Sequence, residues 1–237
     1  MHRIRAITLD LDDTLWEIGP VIRRAEEKLW GWLCENFPRI PQTYSPQDML
    51  TLRQQMVDQH RQHAHDFRYL RKKVLEKVAL ESGYSADLVD PAFAVFDAAR
   101  NAVTFYPDVL PALEAIAERF TLIAVTNGNA NLQSIGIRHL FADVVTAVDA
   151  GAPKPAPAIF CEAVKRAGVS PIEVLHVGDH PEIDIAGAQQ AGLRAAWMNR
   201  NGYTWPQHLP APDAEVATVT GLRELLQHAC DMQGSDT

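Results

Sequence analysis

The sequence predicts an α/β protein: a doubly wound, Rossmann-like parallel sheet with an all-helical segment inserted after its first strand. Three observations carry this expectation. Short apolar runs recur without polar alternation, helical periods fall between the later runs, and the long stretch after the first run reads as helix only. Strands that are apolar on both sides suit a parallel sheet covered on both faces, and their alternation with helices gives the doubly wound arrangement.

The first run, Ile4 to Leu11, is too short for a buried helix and ends in an acidic cluster, so it is a strand. From about Trp16 to Phe105 the rhythm changes. Ile22, Ala25, Leu29 and Leu33 form one apolar stripe, stopped near Pro38. Ser45-Pro46-Gln47-Asp48 has the form of a helix start, with Ser45 as cap and Pro46 in the first helical position. Leu70, Val74, Leu75 and Val78 make another stripe, closed by Gly83, and Leu88, Phe93, Phe96 and Val103 make a fourth. Beyond it come the strands Phe120 to Thr126, Val174 to Gly178 and Leu193 to Met198, with helical periods at Val109–Arg119, Ala158–Ala167 and Ile183–Ala191. The expected boundaries are therefore 1–15 and 106–232 for an α/β core, 16–105 for a helical cap, and 233–237 for a disordered tail.

Composition narrows the functional classes. A formal net charge of −8 over 237 residues leaves no basic surface able to track a nucleic-acid backbone. The most basic stretch holds Arg68, Arg71, Lys72, Lys73 and Lys77, read either as a solvated helix face or as a patch facing a substrate. Cys34, Cys161 and Cys230 are too few and too scattered for a disulfide framework or a zinc site. No apolar stretch approaches the roughly 20 residues that span a bilayer, and no secretory leader follows Arg3 and Arg5. The expectation is a cytoplasmic protein without membrane or nucleic-acid partners. The oligomeric state is not legible.

The chemistry gathers at strand ends. Asp10-Leu11-Asp12-Asp13-Thr14 follows the first strand, and in extended chain Asp10 and Asp12 point to one side. Open α/β sheets bind ligands beyond the carboxyl ends of their strands. Two carboxylates there need a cation or a shared proton between them. Thr126-Asn127-Gly128 offers a hydroxyl and backbone N–H groups to an anion. Lys154 sits on the proline-stiffened segment Ala152-Pro153-Lys154-Pro155, and Gly178-Asp179-His180-Pro181-Glu182-Ile183-Asp184 adds two more carboxylates at a strand end.

Asp10-x-Asp12-x-Thr14, Thr126, Lys154 and Gly178-Asp179-x4-Asp184 together resemble the four signature motifs of the haloacid dehalogenase-like hydrolase superfamily, over Ile4 to about Met198. The helical insertion is similar to that superfamily's cap. More narrowly, Asp10 to Leu15, Thr126-Asn127-Gly128-Asn129-Ala130 and Leu175-His176-Val177-Gly178-Asp179 are similar to a bacterial subgroup that dephosphorylates FMN and a riboflavin-pathway phosphate. The resemblance implies a phosphatase acting on a small phosphorylated metabolite. Asp10 would be the nucleophile that becomes an aspartyl-phosphate, and Asp12 the general acid and base. Thr126 and Asn127 would hold the phosphoryl group, with Lys154 neutralising it. Mg²⁺ fits a set of ligands that are all oxygens, namely Asp10, Asp179 and the backbone oxygen of Asp12.

Several roles stay open at this level. Asp184 either meets the metal through water or holds Lys154. Thr14 either bonds near the nucleophile or starts a helix. Trp16 either lines the entrance or packs, and Arg68 or Arg71 would reach the distal part of a substrate. His180 is expected to face solvent at a helix start, and His60, His63 and His65 to lie on a solvated face, with only His60 and His63 at the i,i+3 spacing that shares one helix face. A phosphomutase shares both aspartates and the cap. A dehalogenase needs no acid at Asp12, and a phospho-accepting regulatory domain would leave the helical insertion unexplained.

Overall fold

The computed structural model describes residues 4–234, with side chains described as far as His228. Six strands form one sheet: β1 (Ala6–Leu9), β2 (Thr121–Thr126), β3 (Asp143–Thr146), β4 (Val174–Gly178), β5 (Arg194–Met198) and β6 (Ala214–Val216). All pairs are parallel, in the order β3-β2-β1-β4-β5-β6. Every residue of β1 and β4 is buried, as central strands covered on both faces require. Ala6 pairs with Thr121 on one side and Val174 on the other, so the carboxyl ends of β1, β2 and β4 finish at one level. The winding reverses between β1 and β4, and such a switch point opens a crevice at the strand ends.

The chain divides into two units by contact: 1–17, 104–128 and 136–237 in the first, and 18–103 with 129–135 in the second. The first is the α/β unit. Its core joins Ile123 and Val125 of β2 to Ile159 and Phe160 of the Pro157–Ala167 helix, and to Ile185, Ala195 and Trp197.

The second unit is helical. Its four longer helices span Ile18–Asn36, Pro46–Gln59, Phe67–Glu81 and Val89–Arg100. They bury Ala25, Leu29, Leu33, Leu70, Val74, Val78, Phe93 and Phe96 in one cluster. Each large side chain so buried contributes about 1.5–3 kcal/mol. The expected helix start at Ser45 is a full capping box: Ser45 accepts from the Asp48 N–H, and Asp48 accepts from the Ser45 N–H.

The structure departs from the sequence reading in specific places. β3 and β6 were not anticipated, because edge strands of four and three residues carry no continuous apolar run. The stripe of the first helix is completed by Val21, with Ile22 only half-buried. Val103 lies beyond the end of the Val89–Arg100 helix. The helical period at 183–191 begins earlier, as a π-helical turn over Pro181–Ala186, and continues at Gly187–Gln190. His60 and His63 do not share a helix face. The helix ends at Gln59, and both imidazoles turn onto Tyr69 with ring centroids 5.4 and 4.4 Å away. The last helix, Val219–Gly234, takes in Gln233 and Gly234 of the expected tail, and 235–237 lie outside the described residues. No helix among the described residues is long and apolar enough to cross a membrane.

Candidate active site

The α/β unit carries the candidate site at the ends of β1, β2 and β4. Asp10 follows β1 directly, and its N–H donates to the Val177 carbonyl at 2.9 Å, which carries the β1–β4 ladder one residue further. Its carboxylate is buried. Lys154 donates from Nζ to Asp10 Oδ1 at 2.5 Å and to Asp184 Oδ1 at 2.6 Å, with its side chain only 3% exposed. Three segments distant in sequence thus meet at one ammonium. Asp179 completes the group: oxygens of Asp10, Asp179 and Asp184 lie within 4.8 Å of one another.

The electrostatics follow from this crowding. Burial, then repulsion from Asp184 and Asp179, raises the Asp10 carboxyl well above the ordinary range despite Lys154. Burial would also raise Asp184, but Lys154 and then His176 reverse the shift and hold it below the carboxylate range. Burial alone would lower Lys154; the Asp10 and Asp184 charges outweigh it and hold the ammonium above the usual lysine range. Asp179 is pushed up to about 7 by burial, and then by Asp184 and Asp13. Three carboxylates against one ammonium leave the cluster short of positive charge, and all of the donors are oxygens. A hard divalent cation fits that deficit.

Supporting contacts set each side chain. Both oxygens of Asp184 accept from protein donors: Oδ1 from Lys154 and from His176 Nε2 at 3.4 Å, Oδ2 from the His180 N–H at 3.0 Å. His176 lies wholly inside β4, 2.9 Å from Thr8 Oγ1 through Nδ1. Burial lowers its pKa against the pull of Asp184, so the ring is neutral. With Nε2–H donating to Asp184, Nδ1 accepts from the Thr8 hydroxyl. Gly178 makes room for Asp184: a Cβ there would stand 2.3 Å from the Asp184 Cγ.

Asn127 does something the sequence did not suggest. Its side chain grips the lysine segment from β2, accepting from the Lys154 N–H at 2.6 Å and donating to the Lys154 carbonyl at 3.0 Å. Thr126 Oγ1 accepts from the Gly128 N–H at 2.9 Å, which folds the loop after β2 back on itself. Thr14 donates to Asp10 Oδ2 at 3.5 Å, the long limit of such a bond. Asp12 Oδ1 accepts from Trp16 Nε1 at 2.8 Å. Trp16 is fully buried and edge-on to Phe105, 5.6 Å between centroids, so it packs rather than lining an opening. His180 is exposed at the start of the π-helical turn, as expected, and caps it: its Nδ1 accepts from the N–H groups of Glu182 and Ile183.

Two further residues escaped the sequence reading. Arg200, after β5, donates from Nε to the Thr14 carbonyl at 2.9 Å and through both terminal nitrogens to Asp108, at 2.9 and 3.2 Å. Trp197 Nε1 holds the Asp179 carbonyl at 2.8 Å. A histidine inside the otherwise apolar run Val174–Gly178 was the one available signal for His176. Nothing local marked Arg200.

Arg68 and Arg71 belong to the helical unit. Arg71 donates to both oxygens of Glu26, at 2.9 and 2.7 Å, and its guanidinium lies 3.4 Å from the Phe96 ring centroid. Arg68 is half exposed, with a 3.5 Å pair to Asp97 and its guanidinium over Phe93.

A family model for haloacid dehalogenase-like hydrolases matches residues 4–192, which takes in the ends of β1, β2 and β4. The chain belongs to that family. Among relatives of known activity, the 5-amino-6-(5-phospho-D-ribitylamino)uracil phosphatase YigB of Escherichia coli is 30% identical, over 95% of this chain and 98% of its own. The glyceraldehyde 3-phosphate phosphatase of Methanopyrus kandleri is 31% identical over 94% and 96%. A crystal structure of a 2-haloacid dehalogenase from Pseudomonas syringae pv. tomato superposes with a TM-score of 0.89 at 41% identity, over 95% of this chain and 99% of that one. As a haloacid dehalogenase-like hydrolase with relatives of this kind, the chain is an enzyme of the phosphatase type, and its buried acidic triad can hold a metal ion.

Proposed function

We propose that the protein is a Mg²⁺-dependent phosphatase that hydrolyses a small phosphate monoester through a phosphorylated Asp10. The observation that carries this reading is the buried Lys154 ammonium, held between Asp10 and Asp184 at 2.5 and 2.6 Å beside a third carboxylate raised to about 7. Such a cluster is built for more positive charge than the protein supplies.

Asp10 and Asp179 would hold the ion, with the backbone oxygen of Asp12. The metal supplies charge neutralisation and keeps Asp10 ionised. Asp184 gives Oδ1 to Lys154 and His176 and Oδ2 to the His180 N–H, so its part is to orient the lysine, and the lone pair left on Oδ2 would let it meet the ion as well. In the first step an Asp10 oxygen attacks phosphorus, the ester P–O bond breaks, and Asp12 gives its proton to the leaving oxygen. In the second, Asp12 takes a proton from water as the water oxygen attacks phosphorus. The Asp10–phosphorus bond breaks and inorganic phosphate leaves. Lys154, Thr126 and the Asn127 N–H neutralise and hold the transferring group.

For substrate, the pyrimidine ribityl phosphate named for the E. coli relative and FMN are the first compounds to test. The similarity to a 2-haloacid dehalogenase favours a second reading, halide displacement by Asp10. Asp12, an acid which that reaction does not require, weighs against it. The deciding experiment measures phosphate release from phosphorylated metabolites with Mg²⁺, chloride release from 2-chloropropionate, and sugar-phosphate interconversion, each beside Asp10→Asn. Chloride release without phosphate release would overturn the phosphatase reading, and isomerised sugar phosphate would replace it with a mutase.

A further inference from the structure

We propose that Trp16 is a positioning residue for proton transfer: its indole N–H aims the Asp12 carboxyl so that the acid proton reaches the leaving oxygen. The inference rests on the phosphatase reading above. The chain after β1 doubles back over five residues. Asp13 takes a left-handed conformation at φ 59°, its N–H donates to the Trp16 carbonyl at 2.7 Å, and Asp12 and Trp16 form a bridge pair. Trp16 also bridges Phe105 on its other side. The indole is thereby brought to Asp12 and donates to Oδ1 at 2.8 Å.

Two properties make this more than packing. The indole nitrogen is a donor only, so the Asp12 oxygen it meets acts as acceptor. The ring itself cannot wander, because it is fully buried and set edge-on against Phe105, with planes at 74°. A carboxyl attached to this fixed donor has one of its oxygens pinned and its rotation stopped, which is the preorganisation that a general acid needs. A tryptophan kept only for volume would not require its nitrogen to point at the acid.

The test compares two leaving groups. Trp16→Phe keeps an aromatic ring and removes the N–H. An alkyl phosphate expels a poor alkoxide and depends on the acid, whereas p-nitrophenyl phosphate expels a stable phenolate and hardly needs it. In Trp16→Phe, kcat/KM, which reports the first step alone, is expected to fall on the order of 10- to 100-fold on the alkyl phosphate and less than about threefold on p-nitrophenyl phosphate. Phe105→Leu, which loosens the ring but keeps the donor, is expected to shift the ratio between the two substrates in the same direction by a smaller factor. Equal losses on both substrates in Trp16→Phe, or no loss on either, would overturn the assignment. If Trp16→Phe does not fold, β-(3-benzothienyl)alanine at position 16 has the indole's shape with sulfur in place of N–H and is judged by the same ratio. Wild-type protein that turns over neither phosphate would instead bring down the phosphatase reading, and this inference with it.

Discussion

Gly178→Ala is the most exposed test of how the charge cluster is held. The alanine Cβ would stand 2.3 Å from Asp184 Cγ, 2.5 Å from Oδ2 and 2.6 Å from Cβ. Carbon atoms rest about 3.5–4.0 Å apart, so Asp184 has to retreat by about 1 Å or more. It has little freedom to do so, being 2% exposed with Oδ1 on Lys154 and Oδ2 on the His180 N–H. A retreat of that size stretches the 2.6 Å contact to Lys154 past about 3.5 Å, where a hydrogen bond has lost its meaning. Overpacking of this kind costs about 1–3 kcal/mol, and a catalytic group displaced by about 1 Å costs on the order of 10²-fold in rate. Thermal denaturation reads the first effect. Steady-state phosphate release at saturating Mg²⁺ reads the second. An alanine variant with kcat within about threefold of wild type and an unchanged melting temperature would refute the argument that Gly178 is there to seat Asp184.

The other expectations concern charge. Lys154→Met leaves Asp10 and Asp184 facing each other without their shared cation, so phosphate release should be abolished and metal-free protein destabilised by about 3–5 kcal/mol; retained activity would remove the lysine from the mechanism. Asp179 holds its proton to about pH 7 in the folded metal-free protein but only to about 4 when unfolded. The folded state therefore binds more protons across that window, and stability falls as pH rises through it. A cation replaces that proton, so the melting-temperature gain from Mg²⁺ should be larger at pH 8 than at pH 5.5, and an equal gain would contradict the assignment. Asp184 has the opposite sign: its folded pKa is depressed, so its stabilisation is present above the unfolded value near 4 and is lost as pH falls below it, a limb that Asp184→Asn should flatten in acid titration followed by circular dichroism. In the helical unit, Arg71→Ala should lower stability several-fold more than Arg68→Ala in urea unfolding, because Arg71 is 12% exposed in a two-pronged bond to Glu26, whereas Arg68 is half exposed with a single long ion pair.

The central strands were legible because a strand buried on both faces is apolar along nearly all of its length, as β1 apart from Thr8, β4 apart from His176, and most of β2 and β5 are. The edge strands were not, since β3 and β6 face a neighbour on one side only and tolerate Asp143, Thr146 and Glu215. Helix stripes at 25–33 and 70–78 and the cap at Ser45 were legible for the same local reason: period and capping are written within a few residues. The histidines at 60 and 63 misled, because their spacing implies a shared face only if the helix continues, and it stops at Gln59.

What the sequence determined by itself was the set of groups: which carboxylates, which lysine, and that each ends a strand or opens a turn. The tertiary structure alone decided what each group touches. Asp184 is committed to Lys154 and His176, Asn127 to the lysine backbone, Trp16 to Asp12, and Arg200 to Thr14 and Asp108. A strand end can be read from a handful of neighbours, because burial and backbone period act locally. A hydrogen bond between residues 127 and 154, or 14 and 200, exists only once the parallel register of the sheet has brought their strand ends to one level.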